Sequence, residues 1–127
     1  MLADSIGASL YPQWLAHVQT PEARDAFVFL VGYAATLRRY TCHAQRTGVV
    51  RDFRLKSTDG GLPFAFTVNR RWLLFYFRLP SLGAGGLSPK AILSSFPKAR
   101  RNRRGEWTVR LFDVEDVRVL LKLLALE

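Results

Sequence analysis

The chain is poor in the side chains that staple or catalyse. It has one cysteine, Cys42, two histidines, His17 and His43, and only ten acidic residues against nineteen Lys and Arg. One thiol makes neither an intramolecular disulfide nor a cysteine-based zinc site, so a disulfide scaffold is excluded and the chain reads as the product of a reducing, cytoplasmic compartment. Long hydrophobic runs are missing too. The longest uncharged apolar stretch, Ala26 to Leu37, has 12 residues, whereas a helix needs about 20 to cross a bilayer, so no membrane partner is expected. Met1 to Ser9 holds Asp4 and no basic residue, which is unlike a secretory signal. No internal repeat stands out at any useful period.

What the chain has in quantity is aromatic and basic. Nine Phe, four Tyr and three Trp within a hydrophobic fraction of 49% are far from the composition of a disordered segment. A length of 127 residues suits a single domain, 1-127, that buries roughly two-thirds of the surface its unfolded chain exposes. The net charge is +9, carried by fifteen Arg and four Lys. The excess is concentrated: residues 38 to 110 hold sixteen cations against Asp52, Asp59 and Glu106, a balance of +13, and the segments on either side are each −2. Such a middle repels itself unless a polyanion neutralises it, and binding would release that polyanion's counterions. The Arg fork matches phosphate oxygens and guanine edges. A GC-rich genome would account for Arg over Lys, but not for the clustering.

Periodicity gives the order α-α-β-β-β-α-β-α. A first helix spans about Tyr11 to Gln19, with Leu10, Trp14, Leu15 and Val18 inward. A second spans about Pro21 to Cys42, with Thr20 as N-cap and Phe27, Leu30, Val31, Ala34, Leu37 and Tyr40 as its stripe. The period then drops to two. Val49, Phe53 and Leu55 alternate with Asp52, Arg54 and Lys56, and the Asp59-Gly60-Gly61 turn follows. Phe64, Phe66 and Val68 form one arm of a hairpin and Trp72 to Phe77, apolar on both faces, the central other arm. Pro80 to Leu87 is a glycine-bearing loop, and Ser88-Pro89 opens a short helix to about Phe96. Trp107 to Phe112 is the last strand, and Asp113 caps a helix with Val114, Val117, Leu120, Leu121 and Leu124 inward. The expected class is α+β: an antiparallel sheet of about four strands with helices mainly on one face.

The sharpest local feature is the loop Lys98-Ala99-Arg100-Arg101-Asn102-Arg103-Arg104, five cations in seven residues. Alone it would be a solvated loop. With Arg70 and Arg71 at the hairpin turn and Arg54 and Lys56 on an exposed strand face, it becomes a candidate nucleic-acid contact. Trp72 and Trp107 sit at strand starts beside this base and could stack on unpaired bases. Catalytic and metal-binding sets are not assembled. Cys42 and His43 are neighbours in sequence and point apart, and Asp52 and Lys56 share a strand face with Arg54 where a nuclease would need a second acid. The loop Gly83 to Gly86 lacks the Gly-Lys-Ser/Thr ending of a phosphate cradle. No catalytic residue, metal or cofactor is therefore expected.

Phe64, Phe66, Val68 and Asn69, the run Leu73 to Arg78, and Gly105-Glu106 leading to a helix with Leu120 form a pattern that resembles small α+β domains accompanying restriction endonucleases and phage-defence proteins. The resemblance covers about the C-terminal half and implies a fold and a setting, not a set of site residues. Two functions follow as expectations. The first is a non-enzymatic, Arg-rich domain that binds nucleic acid, DNA rather than RNA, or a nucleoprotein. The second is a small inhibitor or interaction protein of an anti-defence type, such as an anti-CRISPR, docking on an acidic protein or nucleoprotein complex.

Overall fold

A computed structural model describes residues 5–47, 50–83 and 85–126. The order is α1 (Ser5–His17), α2 (Pro21–Thr36), β1 (Tyr40–Thr47), β2 (Val50–Ser57), β3 (Phe64–Val68), β4 (Leu73–Phe77), a 3-10 turn (Leu79–Ser81), α3 (Pro89–Ser95), β5 (Arg100–Arg101), β6 (Trp107–Leu111) and α4 (Val114–Leu124). The strands make one antiparallel sheet in the order β1-β2-β3-β4-β6-β5. The α+β class stands, with six strands where about four are expected.

Two elements account for the difference. The second helix stops at Thr36, whose hydroxyl donates to the Tyr33 carbonyl, and Leu37 is already extended. Tyr40 to Thr47 is then an edge strand, placing Cys42 and Ala44 inward and Thr41, His43 and Gln45 outward. The expected continuation of α2 through Tyr40 and Cys42 is therefore wrong. Three-residue spacing along an apolar stretch cannot distinguish a helix from a strand that begins inside it. The second correction concerns the basic run, which is half of a hairpin rather than a free loop. Arg100 pairs with Thr108 and Arg101 with Trp107.

Expectation and structure agree at the N-caps of α2, α3 and α4. Thr20 accepts from the Ala23 N–H, Ser88 from Ala91 and Asp113 from Asp116. Asp116 Oδ2 in turn accepts from the Phe112 N–H at 2.9 Å, one residue before the N-cap N–H that a capping box engages. The first helix starts earlier than expected and holds Pro12 within it. Val49, expected in the first strand, lies outside the described residues.

One side of the sheet carries the core. Phe53, Phe66 and Phe75 are fully buried at its centre, beside Leu55, Phe64, Phe77 and Leu111. Trp14 of α1 meets Phe53 edge-on at 4.9 Å, Phe27 of α2 packs on the same ring, and Ile92 of α3 with Val117 and Leu120 of α4 belongs to the same cluster. Burying each such side chain, aromatic or aliphatic, is worth about 1.5–3 kcal/mol, so the aromatic layer is a substantial part of what holds the helices to the sheet. All four helices thus contribute to a core on one face of the sheet, and that arrangement leaves the other face uncovered by helices.

Candidate nucleic-acid interface

Strand alternation assigns the second face. Across β1, β2, β3, β4, β6 and β5 the outward row is His43, Arg54, Ala65, Tyr76, Thr108 and Arg100, and the next is Gln45, Asp52, Thr67, Leu74 and Arg110. A strand expected to be apolar and covered on both sides, Trp72 to Phe77, is covered on one. Leu74 and Tyr76 are half-buried among polar neighbours.

The acids on this face are tied to cations. Arg54 Nε lies 3.5 Å from Asp52 Oδ2, and Arg78 Nε lies 3.2 Å from Glu106 Oε2. Arg78 also donates to the Leu62 carbonyl at 3.0 Å, and Asn102 Nδ2 donates to Glu106 Oε1 at 3.0 Å. With the Gln45 amide turned to its satisfied orientation, its oxygen accepts from Arg54 as well. Burial raises the Asp52 carboxyl above the usual range despite Arg54 and Arg78, and its Oδ1 is buried without a hydrogen-bond partner. Burial likewise raises the Tyr76 hydroxyl, with Glu106, Asp52 and Arg104 all within electrostatic reach. Two acids are thereby neutralised, and Lys56, Arg100, Arg104 and Arg110 have no ion pair among the described residues.

The hairpin between β5 and β6 explains how part of the basic run reaches this face. Asn102 N–H donates to the Glu106 carbonyl and Gly105 N–H to the Asn102 carbonyl, with Gly105 at φ 83°. The Asn102 side chain accepts from the Arg104 and Glu106 N–H groups. This is a tight turn closed by a left-handed glycine, and it presents Arg103 and Arg104 at its tip. Asn-x-x-Gly was the available signal for it. Alternation then splits the run: Arg100 faces outward, and Arg101 lies over Gly105 on the helix side. Lys98 is exposed ahead of the hairpin. Trp107 also turns to the helix side, where it packs against the core.

Arg70 and Arg71 occupy the opposite end of the sheet. They are the exposed tip of the β3–β4 turn, closed by Asn69 N–H to the Trp72 carbonyl, and Gln19 N–H donates to the Arg70 carbonyl. Beside them Trp72 faces outward with the Arg110 guanidinium 4.4 Å above its ring and Phe112 at 6.1 Å. A groove of about 740 Å³ opens there. Trp72, Tyr76, Leu74 and Thr67 line it from the open face, Asn69, Arg70 and Arg71 from the turn, and His17 and Arg51 from the sheet's end. Burial, then Arg51 and Arg70, lower the His17 pKa.

Of the expected residues, Arg54, Lys56, Arg100 and Trp72 share the open face, Arg104 reaches it, and Arg70 and Arg71 border it. Arg101 and Trp107 do not belong to it. Leu74, Thr67, Asn69 and Arg110 were missed, and Tyr76, which shares a strand face with Arg78, was not counted among the expected contacts. An apolar run read as doubly buried hides its outward members, and only the sheet order reveals them.

Asp52 and Glu106 lie three strands apart and four positions offset along the ladder, each against its own Arg, so they do not converge on one point. Among the described residues no group of three or more His, Cys, Asp or Glu side chains could hold a metal ion, and no helix is long and apolar enough to cross a membrane. Compared with known protein families, curated proteins and solved structures, the chain matches none.

Proposed function

We propose that this protein binds nucleic acid, without catalysis, on the open face of its sheet and the two basic turns that bound it. The observation that carries the reading is the charge of that face. Its acids, Asp52 and Glu106, are each held by an Arg, while Lys56, Arg100, Arg104 and Arg110 remain over with Trp72 and Tyr76 among them. Cations spread over a face tens of ångströms wide suit a polymer of phosphates better than a small anion. The setting suggested by the resemblance, restriction and phage defence or anti-defence, is compatible with such a partner.

Titration of labelled oligonucleotides at two salt concentrations tests it. With about four phosphates neutralised, a fourfold rise in salt weakens binding by at least about tenfold. Binding that ignores salt, or its absence at low salt, contradicts the proposal. Recovery of one acidic protein partner that survives nuclease treatment would instead favour the docking of an inhibitor on a protein.

A further inference from the structure

The groove beside the Arg70-Arg71 turn narrows the partner. Resting on the nucleic-acid reading, we infer that the open face takes a single strand, with an unpaired base in this groove against Trp72 and Tyr76 and its phosphates on Arg70 and Arg71.

The first argument is shape. Six strands at about 4.8 Å spacing make a face roughly 24 Å across, and the major groove of B-form DNA, about 12 Å wide, admits a helix or a two-stranded ribbon. An undistorted B-form groove therefore does not admit the whole face. Trp72, which closes the β3–β4 turn, and Tyr76, four residues along β4, both line a recess in the face. In an undistorted duplex only a base that has left its stack reaches them.

The second argument is chemistry. At about 740 Å³ the groove is of a size that holds a nucleotide-sized group. Two aromatic rings and Leu74 offer flat apolar area. Asn69 supplies an amide whose Nδ2 makes one long contact, 3.4 Å, to Thr67, leaving its oxygen able to read a base edge. Among the described residues no carboxylate lines the groove. At its rim the Arg70 and Arg71 side chains are exposed, with no ion pair among the described residues. Trp72 lines the groove while the Arg110 guanidinium lies 4.4 Å from its ring centroid, so this ring already receives a planar cation.

The experiment measures affinities of labelled oligo(dT), oligo(U) and a duplex of equal length, at low salt, for the full chain and its variants. Expected are at least about tenfold tighter binding of a single strand than of the duplex, and a loss of about fivefold to 150-fold in that affinity for Trp72→Ala and Tyr76→Leu, with duplex binding within about twofold. Trp72→Phe, which keeps a ring, retains most of the affinity. Preference for oligo(dT) or for oligo(U), which differ in the sugar and in the C5 methyl, supports the inference either way. Arg70→Ala with Arg71→Ala, both exposed, serves if an aromatic variant fails to fold, and it weakens single-strand binding by about tenfold or more. Equal or tighter duplex binding overturns the inference and leaves the nucleic-acid reading standing. So does single-strand binding unmoved in the Trp72 variant, or in the double Arg variant where the former does not fold. If no polynucleotide binds, both fail.

Discussion

Asp52 is the residue at which the open face works against the fold. Its carboxylate sits on the sheet at 7% exposure, one oxygen reaches Arg54 and the other reaches nothing. Burial therefore outweighs Arg54 and raises its pKa. The sign follows: between the ordinary carboxylate range and the raised value the folded state holds a proton the unfolded chain has lost, so stability falls as pH rises through that window and is constant above it. Asp52→Asn lacks that fall. Thermal unfolding of both proteins should place the variant above the parent at neutral pH and level with it in acid below the carboxylate range; a variant less stable at neutral pH would mean that the Arg54 pair prevails. Cys42 gives a simpler case. It is fully buried on the core side of β1, which pushes its thiol up to about 12. The native protein should resist alkylation at mildly alkaline pH and react only at the rate of its unfolding, read by mass spectrometry with and without denaturant. Rapid native labelling would show that β1 opens.

At the scale of elements, what could be read from the sequence depended on how strongly one face is apolar. Phe64-x-Phe-x-Val and Leu73-x-Phe-x-Phe alternate large side chains, and both strands are found where that alternation puts them. The strand β1 alternates just Tyr40, Cys42 and Ala44 with polar residues, and β5 is two arginines. Neither has an apolar face large enough to signal a strand, and both exist because a neighbouring strand offers its edge. Site residues followed the same logic: charge clusters were visible, whereas Tyr76 and Arg110 gain meaning only from their cross-strand neighbours. In the hairpin of β5 and β6 the Glu106 carboxylate is buried, at 8% exposure, and is held by Arg78 and Asn102. Arg78→Ala leaves that carboxylate half-satisfied and should destabilise the protein by about 2 kcal/mol. The denaturant midpoint measures it, and adding Glu106→Gln should restore part of the loss. An unchanged midpoint would mean that water serves Glu106 as well as Arg78 does.

For the whole molecule, the charge of +9 has a direction. The helix side mixes signs, with Glu22, Asp25 and Glu115 exposed near Arg24, Arg118 and Lys122, and Arg118 stacking on Phe29. The open side is basic with its acids already paired. A polyanion arriving by diffusion would be steered to the second. The three tryptophans report on this directly, because each sits in a different place: Trp14 fully buried between α1 and the sheet, Trp107 against the core on the helix side, and Trp72 on the open face under Arg110. Their indole N–H signals in a nitrogen-15 NMR spectrum, followed while an oligonucleotide is added at low salt, test where the partner lies. Movement of the Trp72 signal with the Trp14 and Trp107 signals stationary is the result predicted by binding on the open face. A stationary Trp72 signal while Trp107 moves, or three stationary signals at saturating oligonucleotide, would contradict it.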